Sequence, residues 1–335
     1  MAYMRAAETS IHKAFAASVP GDVRLMFAYG SGVFKQRGHG DEKANMLDYI
    51  LVVDNAVQWH TANLARNRGH YSFLKYGGPD FITEIQRKYG AGIYFNTLVP
   101  FENRLVKYGV IATEDLKDDM KNWTTLYVSG RLHKPVLLVT DNTNADTKTC
   151  LEMNLRAAVQ TSLLLLRDTF TDEELFLTIA SLSYAGDFRM TFGEDKNKIK
   201  NIVLPHIEEF HLLYRPILKD LRMIDPSANF RTFRQEGSPA SRLALLTALP
   251  ANIRESVIRE HLPDNRNKDV NAILTGVAYS PEVNETVFQA CHSIVNRSSW
   301  GQSVKGIFTA GIRKSIVYGS AKVKKMLKSL KAPQS

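Results

Sequence analysis

The sequence predicts an α/β part, a mainly helical second part and a basic amphipathic C-terminal helix. Three observations support this prediction. Short β-rich runs alternate with helical ones up to about residue 140. Strand signals nearly vanish after the linker-like cluster "TDNTNADTKT". Near the C-terminus, apolar residues recur at steps of mostly three and four. We therefore expect three parts with boundaries at 1–145, 150–285 and 286–335.

Composition sets limits on the class of protein. A chain of 335 residues exceeds the size at which single cores usually stop growing. Its 44% apolar and 23% charged residues are ordinary for a globular protein. Cys150 and Cys291 are too far apart in sequence to indicate a disulfide framework or a zinc site. No apolar run approaches the roughly 18 residues that a spanning helix needs, so any membrane contact is expected to be peripheral.

The first part contains five predicted strands and two predicted helical segments. The strands are "VRLMFAYG", "LDYILVV", "AGIYFNTLV", "RLVKYGVIA" and "KPVLLV", which are rich in β-branched and aromatic residues. The helical segments, "WHTANLARNRGHYSFLKYG" and "PDFITEIQRKYG", lie between the second and third strands. This alternation is typical of an α/β fold.

The second part has helical periodicity, beginning with "LEMNLRAAVQTSLLLL". Thr171 and Glu174 have the spacing of a capping box, in which each side chain satisfies a free amide of the first turn. They precede "LFLTIASLSY", and helical patterns continue to about residue 265. We therefore expect a mainly helical region over 150–285.

The net charge of +9 is concentrated in the third part. Residues 286–335 contain nine Lys and Arg but no acid, which leaves the rest of the chain neutral. An apolar stripe runs from Val304 to Leu330 with cations on the other faces, a pattern that suits a helix lying on an anionic membrane. Nucleic-acid binding is not expected, because it would need the basic face without the stripe, whereas a domain-packing helix stays an alternative. The residues expected to contact lipid are Ile307, Phe308, Lys314, Lys322 and Lys325.

Two neighbouring strand ends carry the pattern with most chemical content. Gly30 and Ser31 end the first predicted strand, and Asp48 begins the second. Glycine lets the backbone approach a phosphate closely, and the serine hydroxyl adds a donor. A carboxylate beside them could hold the Mg²⁺ that bridges triphosphate oxygens. For so short a pattern alone, a turn with a polar tip is the commoner explanation.

The pair Gly30-Ser31 and Asp48 resembles the signature of the DNA-polymerase-β-like nucleotidyltransferase superfamily. The blocks "YGSGVFKQ", "WHTANLARNRGHYS", "GAGIYFNT", "VKYGVI", "LYVSGRLHKPV" and "SYAGDFRM" resemble those of the mitochondrial translocator assembly and maintenance family of phosphatidate cytidylyltransferases. The resemblance implies a nucleotidyltransferase-type mixed sheet and a winged-helix-like second domain. It also implies a peripheral enzyme on the matrix side of the mitochondrial inner membrane. Such an enzyme makes CDP-diacylglycerol from CTP and phosphatidic acid, with Mg²⁺, on the route to cardiolipin.

The resemblance also assigns expected roles to individual residues. Gly30 and Ser31 would bind the β- and γ-phosphates and Asp48 the metal, with Ser31 and Asp48 counted as catalytic. Many superfamily members carry a second acid two residues after the first, but Ile50 occupies that position here. Asp54 lies about 20 Å further along the strand, so it is not expected to share a metal.

The second metal-binding or proton-accepting acid is expected to be Asp187 in "SYAGDFRM". An acid flanked by Arg and Lys is, however, more often part of a surface ion pair. Lys107, Arg189 and Lys196 are expected to bind the triphosphate or the lipid phosphate. A polar set that could recognise cytosine or ribose consists of Asn63, Asn67, His70 and Tyr71.

Three histidines, His60, His70 and His133, have no metal-site spacing and are expected to be hydrogen-bonded structural or substrate-side groups. Two other functions stay open at this stage. The chain could be a non-catalytic peripheral membrane factor that assists mitochondrial protein translocation, or a nucleotidyltransferase with an RNA or protein acceptor.

Overall fold

The computed structural model describes residues 5–6, 10–34, 46–192, 197–261 and 269–311. Four residues with expected roles, Lys196, Lys314, Lys322 and Lys325, lie outside the described residues. The first part folds around one sheet with the strand order β1-β6-β2-β3-β5-β4. Its strands are β1 (Arg5–Ala6), β2 (Leu25–Tyr29), β3 (Leu47–Val53), β4 (Ile93–Phe101), β5 (Arg104–Ala112) and β6 (Leu137–Asp141).

The sheet is mixed, as the resemblance implies. β3 and β5 are parallel, whereas β2 pairs antiparallel with both β3 and β6, and β4 pairs antiparallel with β5. The five predicted strands are confirmed, and β1 is an additional two-residue strand. The helices of this part are α1 (Ser10–Ser18), α2 (Ala56–Asn67), α3 (Gly78–Lys88), α4 (Thr113–Asn122) and α5 (Ser129–Leu132).

Each face of the sheet is covered because its strands are apolar on both sides. Tyr49 and Leu51 of β3 join a core with Phe15 of α1 and Trp59 of α2. The alternating residues, such as Ile50, point into a second core on the opposite face. The strands therefore form a central layer between helices, the arrangement expected for an α/β fold.

The second part is mainly helical, as predicted. Its helices are α6 (Ala145–Leu165), α7 (Asp172–Ser181), α8 (Arg189–Phe192), α9 (Lys198–Val203), α10 (Ile207–Asp220), α11 (Pro239–Thr247), α12 (Ala251–Glu260) and α13 (Val270–Tyr279). The capping box at Thr171 and Glu174 is confirmed at the start of α7. A small sheet of order β7-β9-β8 was not predicted, because its strands, Thr169–Thr171, Thr232–Gln235 and Ile224–Pro226, are only three or four residues long.

One apolar core is shared by the sheet and the helical part. It extends from Phe27 and Phe95 on the sheet through Leu155 of α6 and Phe176 of α7 to Val287 of α14 (Val283–Ala310). The two predicted domains therefore pack as one body, and the site lies where they meet.

Helix α14 is 28 residues long and crosses the predicted boundary at residue 286. It packs against β4 as well as α12 and α6. Lys305, one of the cations counted in the basic C-terminal part, is only 4% exposed. Its Nζ donates to the carbonyl oxygens of Gln86 at 3.1 Å and Tyr89 at 2.5 Å. Up to Ala310, this segment is thus built into the fold, whereas Val304, Ile307 and Phe308 of the predicted stripe are exposed.

Burial of Lys305 predicts a pH-dependent stability. Burial lowers the pKa of Lys305 from its ordinary 10.5 to about 7, and a neutral amine still has a proton for each carbonyl. Between these values the unfolded chain binds more protons, so the contribution of Lys305 to stability rises with pH, by up to about 1.4 kcal/mol per unit. Urea unfolding between pH 7 and 9 should therefore show wild type gaining stability relative to Lys305→Met. Parallel curves for the two proteins would contradict this prediction.

Candidate functional site

The site begins at the turn after β2. Tyr29, the last residue of β2, pairs with Asp48 of β3. Gly30 then adopts a φ of 80°, and its carbonyl accepts hydrogen bonds from the amides of Val33 at 3.1 Å and Phe34 at 3.0 Å. A Cβ atom at Gly30 would lie 3.7 Å from Oδ2 of Asp48. A Cβ would fit at that distance, but the positive φ would strain any residue with a side chain, so the turn requires glycine.

The parallel register of β3 and β5 places Lys107 opposite Asp48. The Lys107 Nζ lies 3.5 Å from Oδ1 of Asp48, with the two side chains 17% and 21% exposed. The same ammonium lies 4.3 Å from the centre of the Phe95 ring. Gly30, Ser31, Asp48 and Lys107 are thus brought to one end of adjacent strands, as expected for groups that bind one ligand.

The positions of Ile50 and Asp54 agree with the sequence argument that neither shares a metal with Asp48. Ile50 is buried against Phe27 in the core shared with the helices. Asp54 follows the other end of β3, where it accepts hydrogen bonds from Arg24 at 2.6 Å and Thr113 at 2.8 Å. Asp48 is therefore the acid that β3 contributes at this end.

Asp187 is 4% exposed and is engaged by Arg189. Its Oδ1 accepts from Nε of Arg189 at 2.9 Å, and its Oδ2 accepts from Nη2 at 2.6 Å. Burial acts to raise the pKa of Asp187, but the hydrogen bonds and charge of Arg189 outweigh it and leave the pKa below its usual value. Among the described residues there is no cluster of three or more His, Cys, Asp or Glu side chains that could hold a metal ion. This arrangement fits the ion-pair alternative better than a metal ligand.

Three further cations, to which the sequence assigned no role, lie around Tyr29 and Tyr184: Arg131 and Lys134 at the end of the first part and Lys198 in the helical part. The Arg131 guanidinium lies 4.5 Å from the centre of the Tyr29 ring. Lys134 is 5% exposed and donates to Oγ of Ser183 at 2.7 Å. Tyr184 carries two ammonium groups near its ring, Lys134 at 4.9 Å and Lys198 at 5.0 Å. The three cations thus lie close together, and Arg131 is the one that interacts electrostatically with Asp48.

The charges in this group affect one another. Burial lowers the pKa of Lys134 to about 7, and the charges of Arg131 and Lys198 act in the same direction. Arg131 also lines a small cavity with Ser183, Tyr184 and the Asp187–Arg189 pair. Arg189 is balanced there by Asp187, whereas Arg131 brings a second guanidinium to the same cavity.

A buried carboxylate holds the segment that presents Arg131. Asp119 of α4 is 3% exposed and accepts five hydrogen bonds. The donors are the amides of Thr125, Leu126, Val128 and Ser129 and the hydroxyl of Thr125. This carboxylate thereby fixes the loop between α4 and α5.

Gly130 of α5 allows this helix to pack closely against Ser183. A Cβ atom at Gly130 would collide with Cβ of Ser183, so glycine lets α5 approach the Leu182–Tyr184 turn. Gly130, Arg131 and Lys134 all belong to the block "LYVSGRLHKPV". Two cations in a largely apolar block were the only sequence signal for these residues, and the sequence did not indicate which groups they contact.

Comparison with known proteins identifies the family of the chain. The family model described as mitochondrial phosphatidate cytidylyltransferase matches residues 12–325. The chain belongs to this family. The protein of that name from Xenopus laevis is 46% identical over 318 residues, covering 94% of this chain and 94% of its own. The protein of that name from Danio rerio is 47% identical over 309 residues, covering 92% of this chain and 91% of its own. The one from Schizosaccharomyces pombe is 37% identical over 322 residues, covering 92% of this chain and 81% of its own.

In this phosphatidate cytidylyltransferase family member, a second polar network lies on the opposite face of the sheet from Asp48. Tyr108 follows Lys107 on β5 and so points the other way. Its hydroxyl contacts Nδ2 of Asn63 and Nδ1 of His70, each at 2.9 Å, and Asn63 also contacts Tyr71. The expectation that these residues recognise cytosine or ribose is not supported by this placement.

Two buried histidines make structural hydrogen bonds, His60 within this network and His133 outside it. His60 contacts the Tyr71 hydroxyl at 2.8 Å and Gln86 at 2.9 Å, and burial lowers its pKa to about 4. His133 contacts Asn154 at 3.0 Å, and burial lowers its pKa to about 3. Both rings are therefore neutral hydrogen-bonding groups at physiological pH.

The donor set of the cytidylyltransferase site fits magnesium in one respect. Mg²⁺ is commonly held by one or two carboxylates together with substrate phosphates. Asp48 supplies one partly exposed carboxylate beside the glycine turn. Among the described residues Asp187 is occupied by Arg189, so within this part of the chain the remaining ligands would come from the nucleotide and water.

Proposed function

We propose that the protein is a phosphatidate cytidylyltransferase that converts CTP and phosphatidic acid into CDP-diacylglycerol and pyrophosphate, on the route to cardiolipin. Membership of the family supports the reaction. The observation that carries the proposal is the placement of Asp48 beside the Gly30 turn, with Lys107 next to it and a cluster of cations opposite. This arrangement suits a bound polyphosphate with a metal ion.

In the proposed reaction, a phosphate oxygen of phosphatidic acid attacks the α-phosphorus of CTP. A new P–O bond forms, the bond from the α-phosphorus to the bridging oxygen breaks, and pyrophosphate leaves with that electron pair. Gly30 and Ser31 would bind the β- and γ-phosphates, and Asp48 would hold Mg²⁺. The bound ion would neutralise charge on the triphosphate oxygens. Catalysis rests on positioning and electrostatics, without a covalent enzyme intermediate.

The cations would serve two anionic groups that must approach each other. Lys107 lies beside Asp48 and would contact the triphosphate from the sheet. Arg131 and Arg189 line the cavity opposite and would bind the lipid phosphate or the leaving pyrophosphate. Asp187 then orients Arg189 and need not bind the metal. Lys196 remains a predicted phosphate ligand outside the described residues.

We place the enzyme at the matrix side of the mitochondrial inner membrane, as a peripheral protein. The names of the relatives support mitochondria. Within the described part of the chain, no helix has both the length and the apolarity needed to cross a bilayer. Ile307 and Phe308 are 48% and 51% exposed, which suits the predicted lipid contact of the C-terminal part.

An assay of the purified full chain tests the reaction. Labelled CTP, Mg²⁺ and phosphatidic acid in detergent micelles should yield CDP-diacylglycerol, and an Asp48→Asn variant should yield far less in the same time. The absence of wild-type product would favour the non-catalytic assembly factor. Faster transfer to RNA or protein than to lipid would instead favour a different nucleotidyltransferase.

Lys134 should contribute to the electropositive field through its charge. Lys134→Met should lower kcat/KM about tenfold without lowering the Tm, because the variant removes a buried cation but keeps an apolar side chain. Since the Lys134 pKa is about 7, wild-type kcat/KM should decline as pH rises through that value. Lys134→Arg stays protonated and should remove this decline. The exposed Lys148→Met is the control, and an unchanged pH profile in Lys134→Arg would contradict the role.

A further inference from the structure

An aromatic turn projects from the sheet side of the molecule. The 3₁₀ turn Phe73–Gly77 lies between α2 and α3. Its Leu74 and the preceding Tyr71 are buried, which anchors the segment. Phe73 and Tyr76, by contrast, are 52% and 78% exposed. The turn therefore holds two aromatic side chains outward on a fixed backbone.

The end of α14 lies beside this turn. The Ser72 hydroxyl donates to the carbonyl of Phe308 at 2.9 Å, and a Cβ atom at Gly311 would lie 3.7 Å from Cβ of Ser72. Lys305 links the helix to the carbonyl of Tyr89, whose own side chain is exposed. We call the exposed apolar side chains here the aromatic surface, and its members are Phe73, Tyr76, Tyr89, Val304, Ile307 and Phe308.

Positive charge accompanies the aromatic surface. The Arg68 guanidinium and the Lys75 ammonium lie 5.8 Å and 5.7 Å from the centre of the Tyr76 ring. Residues 68–79 contain no Asp or Glu. Beyond Gly311, which is next to Ser72, residues 312–335 contribute seven further Lys and Arg and no acid. The chain thus continues from the edge of this surface with strongly basic sequence.

We propose that the Phe73–Gly77 turn is a second membrane-contacting element, which docks with the end of α14 on an anionic bilayer. The proposal rests on the membrane location in the proposed function. Tyrosine and phenylalanine suit the interfacial region of a bilayer, and the flanking cations suit anionic headgroups. The other possible occupant is a second copy of this chain. In such a dimer the cations of the two copies would face and repel each other, which disfavours it.

Two contacts on separate elements would fix the orientation of the enzyme. The 3₁₀ turn Arg68–His70 precedes Ser72, and His70 contacts the hydroxyl of Tyr108 at 2.9 Å. Tyr108 is the neighbour of Lys107 on β5. The membrane contact is therefore connected by one hydrogen bond to the strand that carries a phosphate-binding lysine.

Vesicle flotation of the full chain tests the proposal. The probe is phosphatidylcholine vesicles carrying phosphatidylglycerol, which bind through charge without offering the substrate. The double variant Phe73→Ser with Tyr76→Ser should bind about tenfold more weakly than wild type. The control is Tyr279→Ser, which removes an equally exposed tyrosine (71%) near the start of α14, about 40 Å from Phe308. It should bind like wild type, and unchanged binding of the double variant would overturn the proposal.

Two further measurements separate this idea from its rivals. The double variant should retain wild-type turnover of phosphatidic acid in detergent micelles, because both side chains lie outside the reacting groups. If the wild-type protein makes no CDP-diacylglycerol, the proposed reaction is wrong. Vesicle binding is measured separately and would still test the proposed membrane contact. If light scattering shows a wild-type dimer that the double variant dissociates, and vesicle binding is unaffected, the surface is an interface between copies and the proposal fails.

Discussion

Replacing Asp48 with Asn should lower kcat for CDP-diacylglycerol formation by about a thousandfold. The variant removes the negative charge that would hold Mg²⁺ beside the triphosphate, and it leaves Lys107 without its partner 3.5 Å away. The two side chains are partly exposed, so the free energy of unfolding should change by less than about 1 kcal/mol. Steady-state kinetics and urea unfolding on the same preparation measure both quantities.

The matched control for Asp48 is Asp54→Asn. Asp54 follows the same strand but lies at its other end, where it pairs with Arg24 with both side chains about half exposed. This variant should retain wild-type kcat, because its ion pair is a surface pair remote from the glycine turn. Comparable losses in the two variants would show that charge on this strand matters in general, and would remove Asp48 from its proposed role.

Replacing Asp119 with Ala should destabilise the protein by about 3 to 5 kcal/mol. The change leaves the backbone amides of Thr125, Leu126, Val128 and Ser129 without their acceptor in a buried loop. Asp119→Asn should cost less, because an amide keeps one acceptor oxygen. Urea unfolding measures the difference, and kcat/KM should fall as well because the loop leads into Arg131.

The neighbouring Asp118→Ala provides the comparison for Asp119. Asp118 is exposed and accepts hydrogen bonds from Asn122 at 2.7 Å and Thr124 at 2.8 Å. Water can replace it as an acceptor there, so its loss should cost less than about 1 kcal/mol. An equal loss of stability in both variants would mean that the buried carboxylate does not organise the loop.

The sheet could be predicted from sequence because its five longer strands have clear β-rich composition and ends marked by glycine or polar residues. The proximity of Gly30 to Asp48 followed from the same signals, since residues at adjacent strand ends meet in space. Lys107 was found through its block, and the parallel register of β3 and β5 places it beside Asp48.

The facing half of the site could not be predicted in the same way. Arg131 lies on a helix of four residues, which is too short to give a periodic pattern. Lys134 and Lys198 meet at Tyr184 only because α5, the Leu182–Tyr184 turn and α9 converge in the fold. Lys305 was counted with the membrane-facing cations because its carbonyl partners lie more than 200 positions earlier in the chain.

The apolar core that joins the sheet to α6, α7 and α14 has a consequence for how substrates enter. A hinge between the two parts would expose this core to water at every turnover, and its hydrophobic cost would oppose opening. In the proposed function, CTP and the lipid headgroup would therefore reach Asp48 through movements of side chains and loops, without separation of the two parts. The charged groups that bind either substrate would then already be in position in the unbound protein.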